Sequence, residues 1–152
     1  MIYIVYFLTW TFLLYWIHRI VHNLPYVKMW HWDHHVYIVK HGMPGWHWNN
    51  LFLFNDTWIS TLDLYITEVI PTLLFSLITG QWWISVLYYI WAASLQERLE
   101  HNKNIDIPLI TTGKWHLIHH RQPNKNYGLF FAIWDIIFLV VLSCEPSDVS
   151  PP

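Results

Sequence analysis

The sequence predicts an all-α, integral-membrane helical bundle with a histidine-rich cytosolic cap, and three observations point there. The 152-residue chain is 55% hydrophobic and only 12% charged, against about 25% charged in ordinary soluble domains. Its apolar residues gather into runs close to bilayer length. Its basic residues are confined to two segments that a membrane hairpin would return to one face. The length suits a single domain, and 12 Trp, 9 Tyr and 8 Phe are too many aromatics for a disordered chain. A net charge of -2 lacks the basic footprint of nucleic-acid binding. The single Cys144 leaves no disulfide framework, Cys-ligated zinc site or iron–sulfur cluster.

Within residues 1–17 only Thr9 and Thr11 are neither apolar nor aromatic. A span needs about 20 residues, with a lower limit of about 17. The run has no basic flank and no small-residue cleavage site, so it reads as a short membrane helix rather than a signal peptide. Trp10, Tyr15 and Trp16 suit an interface. The second apolar region, residues 58–95, is broken at Thr79-Gly80-Gln81, a tight turn between two antiparallel helices over residues 62–78 and Trp82–Leu95. Asp63 and Glu68 lie in the first of these, where an acid facing lipid is costly, so both should face protein or water. Pro71 can kink the same helix. Residues 129–142 are apolar apart from Asp135 but short for a span, which suits a re-entrant or interfacial segment.

Arg19, Lys28 and Lys40 fall in one segment and Arg98, Lys103, Lys114, Arg121 and Lys125 in the other. One helix followed by a hairpin puts both segments on the same side, which the positive-inside rule makes cytoplasmic. The alternative, a soluble all-α protein with buried helices, does not account for this segregation.

Nine of the eleven histidines occupy the same two segments. His18 and His22 form H-x-x-x-H at the exit of the first helix. His31, His34 and His35 form H-x-x-H-H, His101 follows the last membrane helix, and His116, His119 and His120 repeat H-x-x-H-H. Residues three and four apart share a helix face, so each cluster should aim its imidazoles one way. Neutral imidazole binds iron, zinc, copper and nickel. Two metals fit the count better than one, because six ligands fill an octahedron, and two-metal sites place their ions about 3.5–4 Å apart. His41 and His47 read as interface anchors. No Glu-x-x-His supports a ferritin-like site, no His-Glu-x-x-His a zinc protease, and no Cys a haem thiolate. A bis-histidine haem would leave most of the nine unexplained.

The last motif continues as Arg121-Gln122-Pro123-Asn124-Lys125-Asn126-Tyr127-Gly128, then Trp134-Asp135-Ile136-Ile137-Phe138. In order and content the set resembles the fatty acid hydroxylase / sterol desaturase superfamily, the histidine-rich integral-membrane di-iron enzymes, over about residues 18–138. The resemblance implies one hydroxylase-like membrane domain over residues 1–142 and a polar tail over 143–152. It implies metal ligands at His18, His22, His31, His34, His35, His101, His116, His119 and His120, with Asp135 and Asn126 orienting the imidazoles. Some members carry a further His where this chain has Glu97, so Glu97 is a candidate ligand or support to one. The family often follows Phe138 with Gly-Thr, whereas this chain runs Leu139-Val140-Val141.

The implied activity is hydroxylation or desaturation of a lipid C–H bond by dioxygen at two iron ions, although zinc can occupy such a site in a purified sample. Electrons would come from a cytochrome b5-like or ferredoxin-like system, since no Gly-rich dinucleotide fingerprint is present. The organelle would be the endoplasmic reticulum in a eukaryote or the inner membrane in a bacterium, and a homo-oligomer is compatible with the sequence. Position alone suggests a lipid passage beside Phe52, Phe54, Trp58, Trp91 and Leu95, with a head group near Lys28, Lys40 or Lys114. The competing classes are a non-redox membrane metalloprotein, zinc-binding or degenerate, and a metal transporter. A transporter would place ligands near the bilayer midplane, whereas these histidines lie at helix ends.

Overall fold

The computed structural model describes residues 1–42, 45–54 and 57–138, apart from the Glu97 side chain. The expected polar tail at 143–152 and the domain limit at 142 lie outside them. The described fold is all-α. Helix α1, Ile2–Val21, extends four residues past the apolar run and so carries His18 in its last turn. It stops because Pro25 forces Leu24 into extended backbone (φ -94, ψ 114). Pro25 then opens α2, Pro25–His41, at a position where its missing N–H costs nothing. A 3-10 turn, Trp48–Phe52, follows.

Helix α3 covers Trp58–Thr79. Thr57 caps it by accepting the Ser60 N–H at 3.1 Å. Its middle, Tyr65–Val69, is π-helical, with the Ile70 N–H reaching back to the Tyr65 carbonyl. Pro71 supplies the physical reason: it has no N–H for the carbonyl four residues back and its ring crowds that carbonyl, so the turn before it widens. Gly80 ends α3 in the left-handed region (φ 69), a conformation glycine reaches without steric cost. Helix α4 comprises Trp82–Ile90, a second π turn Trp91–Leu95, and Gln96–Leu99. It packs antiparallel on α3, which realises the expected hairpin.

Helix α5, Lys114–Arg121, sits against α2. Over the described residues 129–138 the apolar stretch forms no long helix. Residues up to 132 run alongside the loop before α5, with the Ala132 N–H donating to the Leu109 carbonyl at 2.9 Å. Only Ile133–Ile137 is helical, as α6, and residues 139–142 lie outside the description.

Two helices, Ile2–Val21 and Trp58–Thr79, are long and apolar enough to cross a membrane, and Trp82–Leu95 is a shorter apolar helix. Only 33% and 44% of the residues in the two long windows are buried. Leu77, Ile78, Val86, Ile90, Ile4 and Val5 all face outward. Soluble monomers rarely expose contiguous apolar patches beyond a few hundred Å², so this girdle suits lipid and not water. Inward, Trp10, Leu14, Ile84, Tyr88, Ala92 and Ala93 form the core. The Trp10 indole N–H donates to Thr72 Oγ1 at 3.0 Å, and Ser85 donates to Ser76 Oγ at 2.7 Å. Each satisfies a polar group that lipid could not.

Candidate metal centre

The histidines that lie far apart in sequence converge beyond one end of the apolar helices. His18, His22, His31, His35 and His119 form one group, and His34, His101, His116 and His120 form another, with the ligand atoms of each within 4.8 Å of one another. Each H-x-x-H-H motif divides between the two. On α2 the i, i+4 pair His31 and His35 joins the five-residue group while His34 turns to the other. On α5 the pair His116 and His120 joins the four-residue group and His119 crosses to the first. Helical periodicity permits this: i and i+4 lie about 40° apart around the axis while i+3 falls about 60° to the other side. Two such helices face to face therefore share six imidazoles between two points. The expectation that each motif aims its whole set one way is corrected here. His18 in the last turn of α1, His22 just after it, and His101 after α4 complete the groups.

The ring atoms that meet are Nε2. His18 lies 3.0 Å from His31 and 3.2 Å from His22, His22 lies 3.0 Å from His119, and His31 lies 3.1 Å from His35. In the second group His120 lies 3.1 Å from His101 and 3.0 Å from His116. A metal about 2.1 Å from each nitrogen would set right-angle neighbours about 3.0 Å apart and tetrahedral neighbours about 3.4 Å apart. The observed spacing is of the size that ligands of one ion adopt.

The opposite ring nitrogens define the tautomers. His18 Nδ1 lies 2.7 Å from the Tyr127 carbonyl, His119 Nδ1 2.7 Å from the Lys125 carbonyl, and His31 Nδ1 2.7 Å from Asp63 Oδ2. These oxygens only accept, so Nδ1 is the donor in each ring and Nε2 of the neutral ring is a bare lone pair. Burial holds the His22 imidazole down at about 2, helped by His31, and holds His119 at about 3 although the Lys125 carbonyl works the other way. Burial likewise pushes His35, His101, His116 and His120 well below the usual imidazole range. His18 and His31 thus bring two lone pairs to 3.0 Å with no proton between them in their neutral forms. Such a contact is repulsive unless a cation sits beside it. The donor set and its spacing fit metal ions.

A family model for fatty acid hydroxylase matches residues 3–139, nearly the whole chain. This chain belongs to the fatty acid hydroxylase family. No curated protein and no solved structure matches it.

In this member of the family the Asn126-Tyr127-Gly128 segment is a built support. Asn126 is fully buried with φ 55, and its amide donates to the Trp115 carbonyl at 3.4 Å. Asp135 reaches the imidazoles only at one remove, through backbone amides. It accepts the Tyr127 N–H at 2.8 Å and the Gly128 N–H at 2.9 Å, which fixes the peptide whose carbonyl takes His18. Burial raises the Asp135 carboxyl to about 6 against the pull of those amides. Gly128 is required there, since a Cβ would lie 2.6 Å from the Phe131 carbonyl oxygen and 2.8 Å from Asp135 Oδ2. The Glu97 side chain lies outside the description. His41 is exposed, its ring tilted against Tyr37, and neither it nor His47 joins a group.

Two contributors were not assigned from sequence. Asp63, read only as an acid that must avoid lipid, is the carboxylate behind His31. Glu100, buried after α4, brings Oε1 to 3.8 Å from His116 Nε2. The signal for both was an acidic residue in or beside an apolar run. Phe52, Trp58 and Leu95 do not line a passage as expected: they face outward, Trp58 with 78% of its surface exposed. The cavity that adjoins the histidines, about 30 Å³, is lined instead by His18, His31, His34 and His116 with Ser60, Asp63, Leu64, Glu68, Gln96, Glu100 and Leu129.

Proposed function

We propose that this chain is a membrane-bound non-haem di-iron oxidoreductase that uses dioxygen to hydroxylate or desaturate a C–H bond of a lipid. The observation that carries the reading is the convergence of nine imidazoles into two groups of five and four, with bare Nε2 lone pairs at His18, His31 and His119. Imidazole alone suits iron, zinc, copper and nickel; membership of the fatty acid hydroxylase family favours iron. His18, His22, His31, His35 and His119 would hold one ion, and His34, His101, His116 and His120 the other. Bound there, the iron pair supplies the activation of dioxygen that an unactivated C–H bond needs.

The protein's own groups do the rest. Asp63 and the carbonyls of Tyr127 and Lys125 hold three Nδ1 protons and so keep the Nε2 lone pairs directed inward. Asp135 and Asn126 fix the loop that provides one of those carbonyls. The buried histidines exclude water from the site, and Glu97 remains a candidate support at the end of α4. The apolar girdle would lie in the bilayer, with the histidines on the cytoplasmic face beside the basic segments. An acidic cytochrome b5-like or ferredoxin-like carrier would meet the exposed Lys28 and Lys40 there.

The test is anaerobic reconstitution of the purified protein with ferrous iron, then dioxygen uptake with host lipid extract and a chemical reductant. Wild type should consume dioxygen and add one oxygen or one double bond to a lipid, and His119→Ala should do neither. Tight zinc binding with no dioxygen uptake on iron would favour a non-redox metalloprotein instead.

A further inference from the structure

The 3-10 turn between α2 and α3 has a surface that water does not explain. Trp48 leaves 74% of its surface exposed and Phe52 76%, and Trp58 at the start of α3 is exposed beside them. The opposite side of the turn is fixed to the hairpin. Leu53 is buried in the core with Leu51 packed against it, and the Trp46 indole N–H donates to the Ala93 carbonyl of α4 at 2.9 Å. Two tyrosine hydroxyls hold the turn from outside: Tyr65 of α3 donates to the Phe52 carbonyl at 3.0 Å, and Tyr89 of α4 to the Leu51 carbonyl at 2.9 Å. Both tyrosines rise from apolar outer stripes, Tyr65 between Leu62 and Ile66 and Tyr89 between Val86 and Ile90, all exposed. Tyr65 stands about 10 Å down the α3 axis from Trp58, at about 1.5 Å per residue, so the turn lies alongside the apolar girdle rather than beyond the helix ends.

We propose that residues 46–54 form a membrane-surface segment, with Trp48, Phe52 and Trp58 inserted at the boundary between lipid head groups and acyl chains. In water the tyrosine hydroxyls and the carbonyls they meet would be hydrated at no cost, whereas toward lipid each needs a protein partner. The other backbone groups of the turn are matched likewise. The Leu53 and Phe54 N–H groups donate to the Asn50 and Asn49 carbonyls, and the His47 N–H donates to Asn50 Oδ1 at 2.6 Å. Irregular backbone is not found bare in the hydrocarbon, and the exposed side chains of His47 and Asn49 call for polar surroundings. The boundary satisfies both demands, and tryptophan is enriched there. This goes beyond the oxidoreductase reading and does not need its chemistry; it rests on the girdle lying in lipid. The turn of α3 that shows Leu62 and Tyr65 outward carries Asp63 inward to His31, so the five-imidazole group lies at the level of this boundary and not in the water above it.

The experiment attaches a nitroxide to single cysteines of the full chain, carrying Cys144→Ser, in phosphatidylcholine vesicles. Collision rates are measured with oxygen, which concentrates in lipid, and with chromium oxalate, which stays in water. The labelled sites are Trp48→Cys and Phe52→Cys, both exposed, so the label displaces no packed side chain. Leu77→Cys on the girdle is the lipid reference and the exposed Lys103→Cys the water reference. The oxygen-to-chromium ratio at positions 48 and 52 should lie severalfold above the water reference and approach the lipid reference. Tyr65→Phe combined with Tyr89→Phe strips both carbonyls of their donors, so the ratio at 52 should fall while that at Leu77 holds; an unmoved ratio would overturn the role given to the two hydroxyls. A water-like ratio at 48 and 52 beside a lipid-like one at Leu77 overturns the proposal, as does shielding from both reagents, which would mean that a protein surface covers the turn. A water-like ratio at Leu77 as well would overturn the reading of the girdle together with it.

Discussion

At the scale of single residues, the centre depends on which nitrogen of each ring keeps its proton. Asp63 accepts from His31 at 2.7 Å, and removing such a partner typically costs about 10–100-fold in metal affinity. Asp63→Ala should therefore weaken the five-imidazole site by that factor and leave the other site nearly unchanged, as read by a chelator competition with two resolved steps. Asp135 acts at one remove, through two buried amides. Asp135→Ala strands both, at about 1–3 kcal/mol each, so the melting temperature should fall before any direct effect on the imidazoles. Gly128→Ala should destabilise in the same assay because its Cβ would meet the Phe131 carbonyl oxygen and Asp135. A melting curve unchanged in both variants would remove the Tyr127–Gly128 support from the scheme.

At the scale of elements, the two H-x-x-H-H helices each divide their imidazoles in a two-to-one split. Variants should sort accordingly. His31→Ala, His35→Ala and His119→Ala should abolish one binding step, and His34→Ala, His116→Ala and His120→Ala the other. Isothermal titration of metal into apo-protein resolves the steps; loss of both in every variant would mean a single joint site. Much of this was legible in the sequence. Motif order, the turn at Gly80 and the confinement of basic residues to two segments gave the hairpin and the convergence of the nine histidines. The division of each motif was not, because it depends on the mutual rotation of α2 and α5, which local spacing does not encode. The role of Asp63 was hidden for a related reason. Its partner, His31, is 32 residues away, and an acid in an apolar run says only that it avoids lipid. The reading of residues 129–142 as a re-entrant or interfacial segment rested on apolar content, which does not reveal that residues up to 132 pack as a strand-like loop on Leu109 and Ile110.

At the scale of the molecule, an apolar girdle carries a polar centre that holds imidazoles neutral by burial. The sign of the pH dependence follows. The folded apo chain keeps His22 at about 2 and His119 at about 3, whereas an unfolded imidazole titrates near 6.5. The folded state then binds fewer protons below about pH 6.5, so stability from these groups is present above that value and is lost as pH falls toward the folded pKa. Thermal melts of metal-free protein in detergent should show stability declining steadily from about pH 6.5 downward, and His119→Ala should flatten part of that slope. A melting temperature that rises on acidification would contradict the burial of neutral rings.

X-ray absorption on iron-loaded protein, with stoichiometry from elemental analysis, tests the centre most directly. We expect two ions per chain and a nitrogen-dominated shell at about 2.1 Å bearing the multiple-scattering pattern of imidazole. One ion per chain, or a shell dominated by oxygen, would contradict two histidine groups as the seat of the metals.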